Sequence, residues 1–61
     1  MWTTIFLATK KEQAISVENV LVSDGFLVKV EEDYEEKLYE ILVLKFEAED
    51  AQNALFERGI I

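Results

Sequence analysis

Residues 26–46 read FLVKVEEDYEEKLYEILVLKF, and this stretch decides the fold. Its first part alternates, Phe26, Val28 and Val30 against Leu27, Lys29 and Glu31, which predicts a strand over Phe26 to Glu32 with one face buried and the other mostly wet. The last part, Leu38 to Phe46, sets Leu38, Leu42, Leu44 and Phe46 on one side and Tyr39, Ile41 and Val43 on the other. Both of its faces need cover, as a central strand requires. Between the two, Asp33 to Lys37 holds no Gly, Pro or Asn, so a hairpin of about three to five residues is expected with no fixed turn type.

Upstream, Asp24 and Gly25 supply a polar helix end followed by a residue that tolerates positive φ. Ala14, Val17, Val20 and Leu21 share one face at helical spacing, widened by Ile15 and Val22, which predicts a helix over about residues 10–23. Thr9 and Glu12 have the spacing of a capping box, with reciprocal side-chain to amide bonds expected at the helix start. Trp2 to Ala8 reads as a strand with two partly apolar faces, Trp2, Phe6 and Ala8 on one parity and Thr3, Ile5 and Leu7 on the other. Downstream, Glu47 to Asp50 opens a second helix with carboxylates at the positive end of its macrodipole. Its inner stripe is Ala48, Ala51, Ala54 and Leu55 with the stem of Arg58, Phe56 lies off that stripe, Gly59 ends it, and Ile60 and Ile61 remain as a stub.

The element order β-α-β-β-α is an α+β arrangement, the ferredoxin-like split βαβ lacking its last strand or holding it only as Ile60 and Ile61. A right-handed crossover makes the first two strands parallel with a gap, and the hairpin drops the third strand antiparallel into it, giving the order 1-3-2 with both helices on one face. That topology independently puts the most apolar strand in the middle. The whole of residues 1–61 is expected to form one such domain.

The chain has 61 residues with no His and no Cys, which removes disulfides, imidazole and thiolate metal ligands and the commonest general base. For a mass of 7.1 kDa, size scaling gives a folded surface of about 4,000 Å² and burial of only about 60% of the extended chain's surface, so an isolated monomer should be marginal. Six basic against thirteen acidic residues and a net charge of −7 argue against nucleic acid and anionic membranes as partners. MWTTIFLATKK is too short and too interrupted for a membrane span and has no basic region before it, so no signal peptide is expected and a cytoplasmic location is.

Residues 1–30 hold three acids and three bases, whereas residues 31–61 hold ten acids and three bases, so the net charge lies wholly in the second half. Glu31, Glu32, Asp33, Glu35 and Glu36 cluster at the hairpin without the spacing or the glycine of a calcium loop, and no metal, cofactor or catalytic residue is assigned. Ser16, Ser23, Tyr34 and Tyr39 lack a histidine to activate them, and Gly25 and Gly59 are isolated at helix ends rather than grouped as a phosphate cradle. The contact candidates are Tyr34 with Glu32, Asp33, Glu35 and Glu36, facing a protein partner with a basic surface.

Trp2 or Ile5, with one parity of the central strand, should point away from the helices, and the first strand carries no charge or proline to blunt its outer edge. A homodimer through Trp2, Thr4, Ile5 and Phe6 answers both needs, by stacking of sheet faces or by joining of edges.

Asp24-Gly-Phe-Leu-Val-Lys-Val30, Tyr39-Glu-Ile-Leu-Val43 and Glu49-Asp-Ala-Gln-Asn-Ala-Leu55 together resemble the small bacterial family of prokaryotic signal-transducing proteins over nearly the whole chain. The resemblance implies a ferredoxin-like domain with a regulatory role. That family commonly carries a longer, proline-bearing segment between its second and third strands, here reduced to Asp33 to Lys37, so no loop residue is carried over. The resulting expectation is a non-enzymatic, homodimeric regulatory or protein-interaction module. A small-molecule sensor binding at the dimer interface is the alternative.

Overall fold

The computed structural model describes residues 1–61. It contains β1 (Trp2–Ala8), α1 (Lys11–Ser23), β2 (Val28–Asp33), β3 (Leu38–Leu44), a 3₁₀ turn at Lys45–Glu47 and α2 (Ala48–Glu57). The sheet order is β1-β3-β2 with both neighbours antiparallel to β3, so β1 and β2 run parallel to each other across the central strand. This is the β-α-β-β-α arrangement expected from the pattern. The body measures 29 × 25 × 16 Å, and its shortest dimension suits one layer of sheet against one layer of helices.

Both helices lie on the same face. Ala14, Val17 and Leu21 of α1 and Ala51 and Leu55 of α2 enclose Ala8, Ile41 and Val43 of the sheet in one cluster. Leu21, Ile41, Leu55 and Val43 are its largest fully buried side chains. Only 9 of 61 residues are buried, so each of these four carries a large share of the apolar driving force, about 1.5–3 kcal/mol apiece. The accessible surface is 4284 Å², close to the size-scaling value.

Both helices end in the same Schellman motif. Gly25 has φ +93, its N–H donates to the Val22 carbonyl, and the Phe26 N–H donates to the Leu21 carbonyl at 3.0 Å. In α2, Gly59 has φ +74, its N–H donates to Phe56, and the Ile60 N–H donates to the Leu55 carbonyl at 2.9 Å. In each motif the residue after glycine folds back onto the core, Phe26 in one and Ile60 in the other. That use of the backbone is why β2 starts at Val28 rather than Phe26, and why Ile60 forms no strand beside β1.

Three local expectations are corrected. The capping box at Thr9 and Glu12 does not form: Lys10 takes the N-cap position without a side-chain bond, and the Thr9 N–H donates to Gln13 Oε1 at 3.3 Å instead. β3 stops at Leu44, because the chain turns into the 3₁₀ segment and leaves Phe46 82% exposed. In β1 a bulge between Thr4 and Phe6 shifts the register. Trp2 opposes Leu44 and Thr4 opposes Leu42, but Phe6 opposes Ile41 and Ala8 opposes Tyr39. The parity that joined Trp2 to Phe6 and Ala8 is therefore broken, with Trp2 on the open face and Phe6 and Ala8 on the helix face.

Candidate interaction surfaces

The face turned away from the helices carries Trp2, Thr4 and Leu7 of β1, Leu38, Glu40, Leu42 and Leu44 of β3, and Lys29, Glu31 and Asp33 of β2, as the cross-strand register dictates. Of the two residues expected to point there, Trp2 does; Ile5 packs against the core instead. No helix covers this face, yet Leu42 is only 8% exposed. Lys29 stands directly opposite Leu42, and its Nζ lies 5.7 Å from the centroid of the Trp2 ring. The outer strands are about 10 Å apart, so the lysine stem crosses β3 at the level of Leu42 and Leu44 to reach the indole. Aliphatic stem and aromatic ring together roof the central leucine.

Charge on this face is locally compensated. Glu31 and Glu40 are direct cross-strand partners, a destabilising like-charge pair by itself. Lys29 Nζ sits 3.7 Å from Glu31 Oε2, and the Thr4 hydroxyl donates to Glu40 Oε1 at 2.7 Å. Lys29 and Glu40 were not singled out by sequence patterning, because their roles depend on which residues the register sets opposite each other.

The hairpin residues expected to meet a partner divide into two groups. Tyr34 is 78% exposed, and Glu32, Glu35 and Glu36 are exposed. Asp33 is occupied by the turn: its Oδ1 accepts the N–H groups of Glu35 and Glu36, both at 3.1 Å. Lys37 closes the turn at φ +56, a conformation usually taken by glycine. An open depression of about 550 Å³ is lined by Glu31, Glu32, Asp33, Tyr34, Glu35 and Glu40. The acids do not share a face, since Glu31 and Asp33 lie with Leu42 while Glu32 opposes Tyr39 on the helix side. No group of three or more Asp or Glu side chains converges to hold a metal ion.

At the opposite end of β2, Arg58 ties the two helix ends together. Its Nη2 donates to Asp24 Oδ1 at 2.6 Å and its Nε to Oδ2 at 3.3 Å. Asp24 and Arg58 are the C-cap residues of α1 and α2, so the guanidinium offsets a carboxylate placed at the negative end of a helix. The hydrogen bond to Asp24, and then its charge, raise the Arg58 pKa above its ordinary value.

The two sheet edges differ in kind. β2 carries Lys29, Glu31, Glu32 and Asp33 within six residues, a charged edge that resists pairing. β1 is WTTIFLA, seven residues without charge or proline, and no strand of the chain pairs with its outer side. Ile5 and Phe6 are half-buried against the helices and Trp2 is 39% exposed on the other face. Leu7 and Leu27 add exposed apolar surface at 56% and 63%. No helix is long and apolar enough to cross a membrane. Comparison with protein-family models, with curated proteins and with solved structures gave no match.

Proposed function

We propose that the protein is a non-enzymatic regulatory or protein-interaction module that works as a homodimer in the cytoplasm, with the acidic hairpin as its contact for a basic protein surface. The observation that carries the reading is the outer edge of β1, uncharged, seven residues long and unpaired. Such an edge is a template for another strand, and a symmetric pair is the commonest way to satisfy it. The hairpin supports the second half of the reading. Tyr34 projects from it with 78% of its surface exposed, among acids that have no ion-pair partner apart from Glu31.

Sedimentation equilibrium across the micromolar range tests the first half. A mass twice 7.1 kDa at tens of micromolar is expected, and a monomer throughout refutes the dimer. For the second half, partners captured by the wild type are compared with those of a variant carrying Glu32→Gln, Glu35→Gln and Glu36→Gln. Loss of a specific basic partner is expected; unchanged capture excludes the hairpin as the contact.

A further inference from the structure

Building on the homodimer reading, we infer that two copies join through β1 itself, antiparallel about a twofold axis, to form one continuous six-stranded sheet. Three observations lead there. The first concerns the alternative. Stacking the open faces would bury Glu31, Asp33 and Glu40 of both copies, with Lys29 the one basic side chain of that face and already engaged by Glu31 and Trp2. Desolvating that set of charges is costly. The β1 edge brings no charged side chain of the strand to the contact.

The second is the polarity of the fold. The acidic hairpin lies at the Ala8 end of β1, since Ala8 opposes Tyr39 while Trp2 opposes Leu44. Antiparallel joining therefore sends the two hairpins to opposite ends of the joined sheet, which keeps apart the acidic tips of two chains of net charge −7. A parallel joining would set them side by side.

The third is charge complementarity. Lys10 and Lys11 follow directly after the Ala8 end of β1 and have no ion-pair partner within the chain. At the Trp2 end, the Lys45 N–H donates to the Met1 carbonyl at 2.7 Å, which fixes the start of α2 there with Glu49 and Asp50, both exposed and without an ion-pair partner. Antiparallel joining brings the lysines of each copy to the acidic helix start of the other, on the helix side of the sheet. The contact occurs twice by symmetry. The bulge at Thr4 to Phe6 sits near the middle of β1, so the joined ladder has a main-chain segment on either side of it.

The absence of cysteine from the chain permits a clean test by single-cysteine variants under mild oxidation. Thr4→Cys, beside the midpoint of β1, is expected to form a covalent dimer; Leu38→Cys, on the same face but on β3, is not. In parallel, the double change Lys10→Glu and Lys11→Glu should weaken the dimer about tenfold as exposed ion pairs are reversed at two contacts. Adding Glu49→Lys and Asp50→Lys to that variant should restore it to within about threefold, and circular dichroism checks that each variant is folded. A dimer that cross-links through Leu38→Cys but not Thr4→Cys overturns edge joining while leaving the homodimer standing. Absence of rescue in the fourfold variant overturns the antiparallel arrangement. A wild type that is monomeric at every concentration overturns both.

Discussion

Lys29 offers a test of how a sheet face without helices keeps its central leucine dry. Replacing it with Thr removes the aliphatic stem and the charge while keeping a side chain suited to a strand. Leu42 is 8% exposed with Lys29 opposite it, and the stem covers about 40–60 Å² of apolar surface, worth about 1–1.5 kcal/mol. The ammonium over Trp2 adds about 0.5–1 kcal/mol at a half-exposed site, and the pair with Glu31 adds little because both side chains are about half exposed to solvent. Lys29→Thr should therefore cost about 2 kcal/mol. Lys29→Met keeps an apolar stem of similar length and loses the charge alone, so it should cost about 0.5–1 kcal/mol. Urea unfolding followed by circular dichroism and by the emission of Trp2, the single tryptophan, measures both at one fixed protein concentration, since self-association would couple stability to concentration. The Trp2 emission should shift to the red in the Thr variant as its cover is lost. Equal destabilisation by Thr and Met, or an unshifted emission with Thr, refutes the roof.

Tyr34→Ala should change stability by less than about 0.5 kcal/mol because the side chain is 78% exposed; a loss above about 1 kcal/mol in chemical denaturation would place it in contact with the fold. Lys37→Gly should stabilise by about 0.5–1 kcal/mol, since it relieves a φ of +56 at a conformational cost of about 1–2 kcal/mol, partly offset by the added freedom of the unfolded chain. Gly25→Ala is the mirror experiment: φ is +93 and nothing lies within 4 Å of an added Cβ, so a loss of about 1 kcal/mol on thermal unfolding is expected, the backbone strain less the reduced freedom of the unfolded chain, with no steric clash involved.

Strand order and helix placement were legible because three signals agreed: the alternation of Phe26 to Glu31, the two-sided run at Leu38 to Phe46, and the helical spacing of Ala14, Val17, Val20 and Leu21. The bulge in β1 was not. Trp2 to Ala8 has apolar residues on both parities, and its two polar residues, Thr3 and Thr4, are adjacent and so fall one on each parity, which leaves nothing in the pattern to record where the phase shifts. The end of β3 was hidden for a related reason, as Phe46 extends the apolar run with no Gly or Pro to mark the turn at Lys45. At the start of α1, Thr9 and Glu12 matched a capping sequence, yet Gln13 one position on makes the bond to the Thr9 amide. At the hairpin, the sequence located the acidic cluster but could not separate Asp33, committed to the turn, from Glu32, Glu35 and Glu36, which remain exposed.

The register of β1 on β3 also bears on how the chain is made. Thr4 and Glu40, joined by a 2.7 Å hydrogen bond, are 36 positions apart. At a synthesis rate of about 5–20 residues per second, β1 waits about 2–7 s after it is made before β3 exists to receive it. During that interval an uncharged, aromatic and β-branched segment has no native neighbour in the sheet. Substitutions in Trp2–Ala8 should therefore act at two stages, on how the nascent segment is held before β3 arrives and on the finished core, which takes Ala8 and is packed by Ile5 and Phe6.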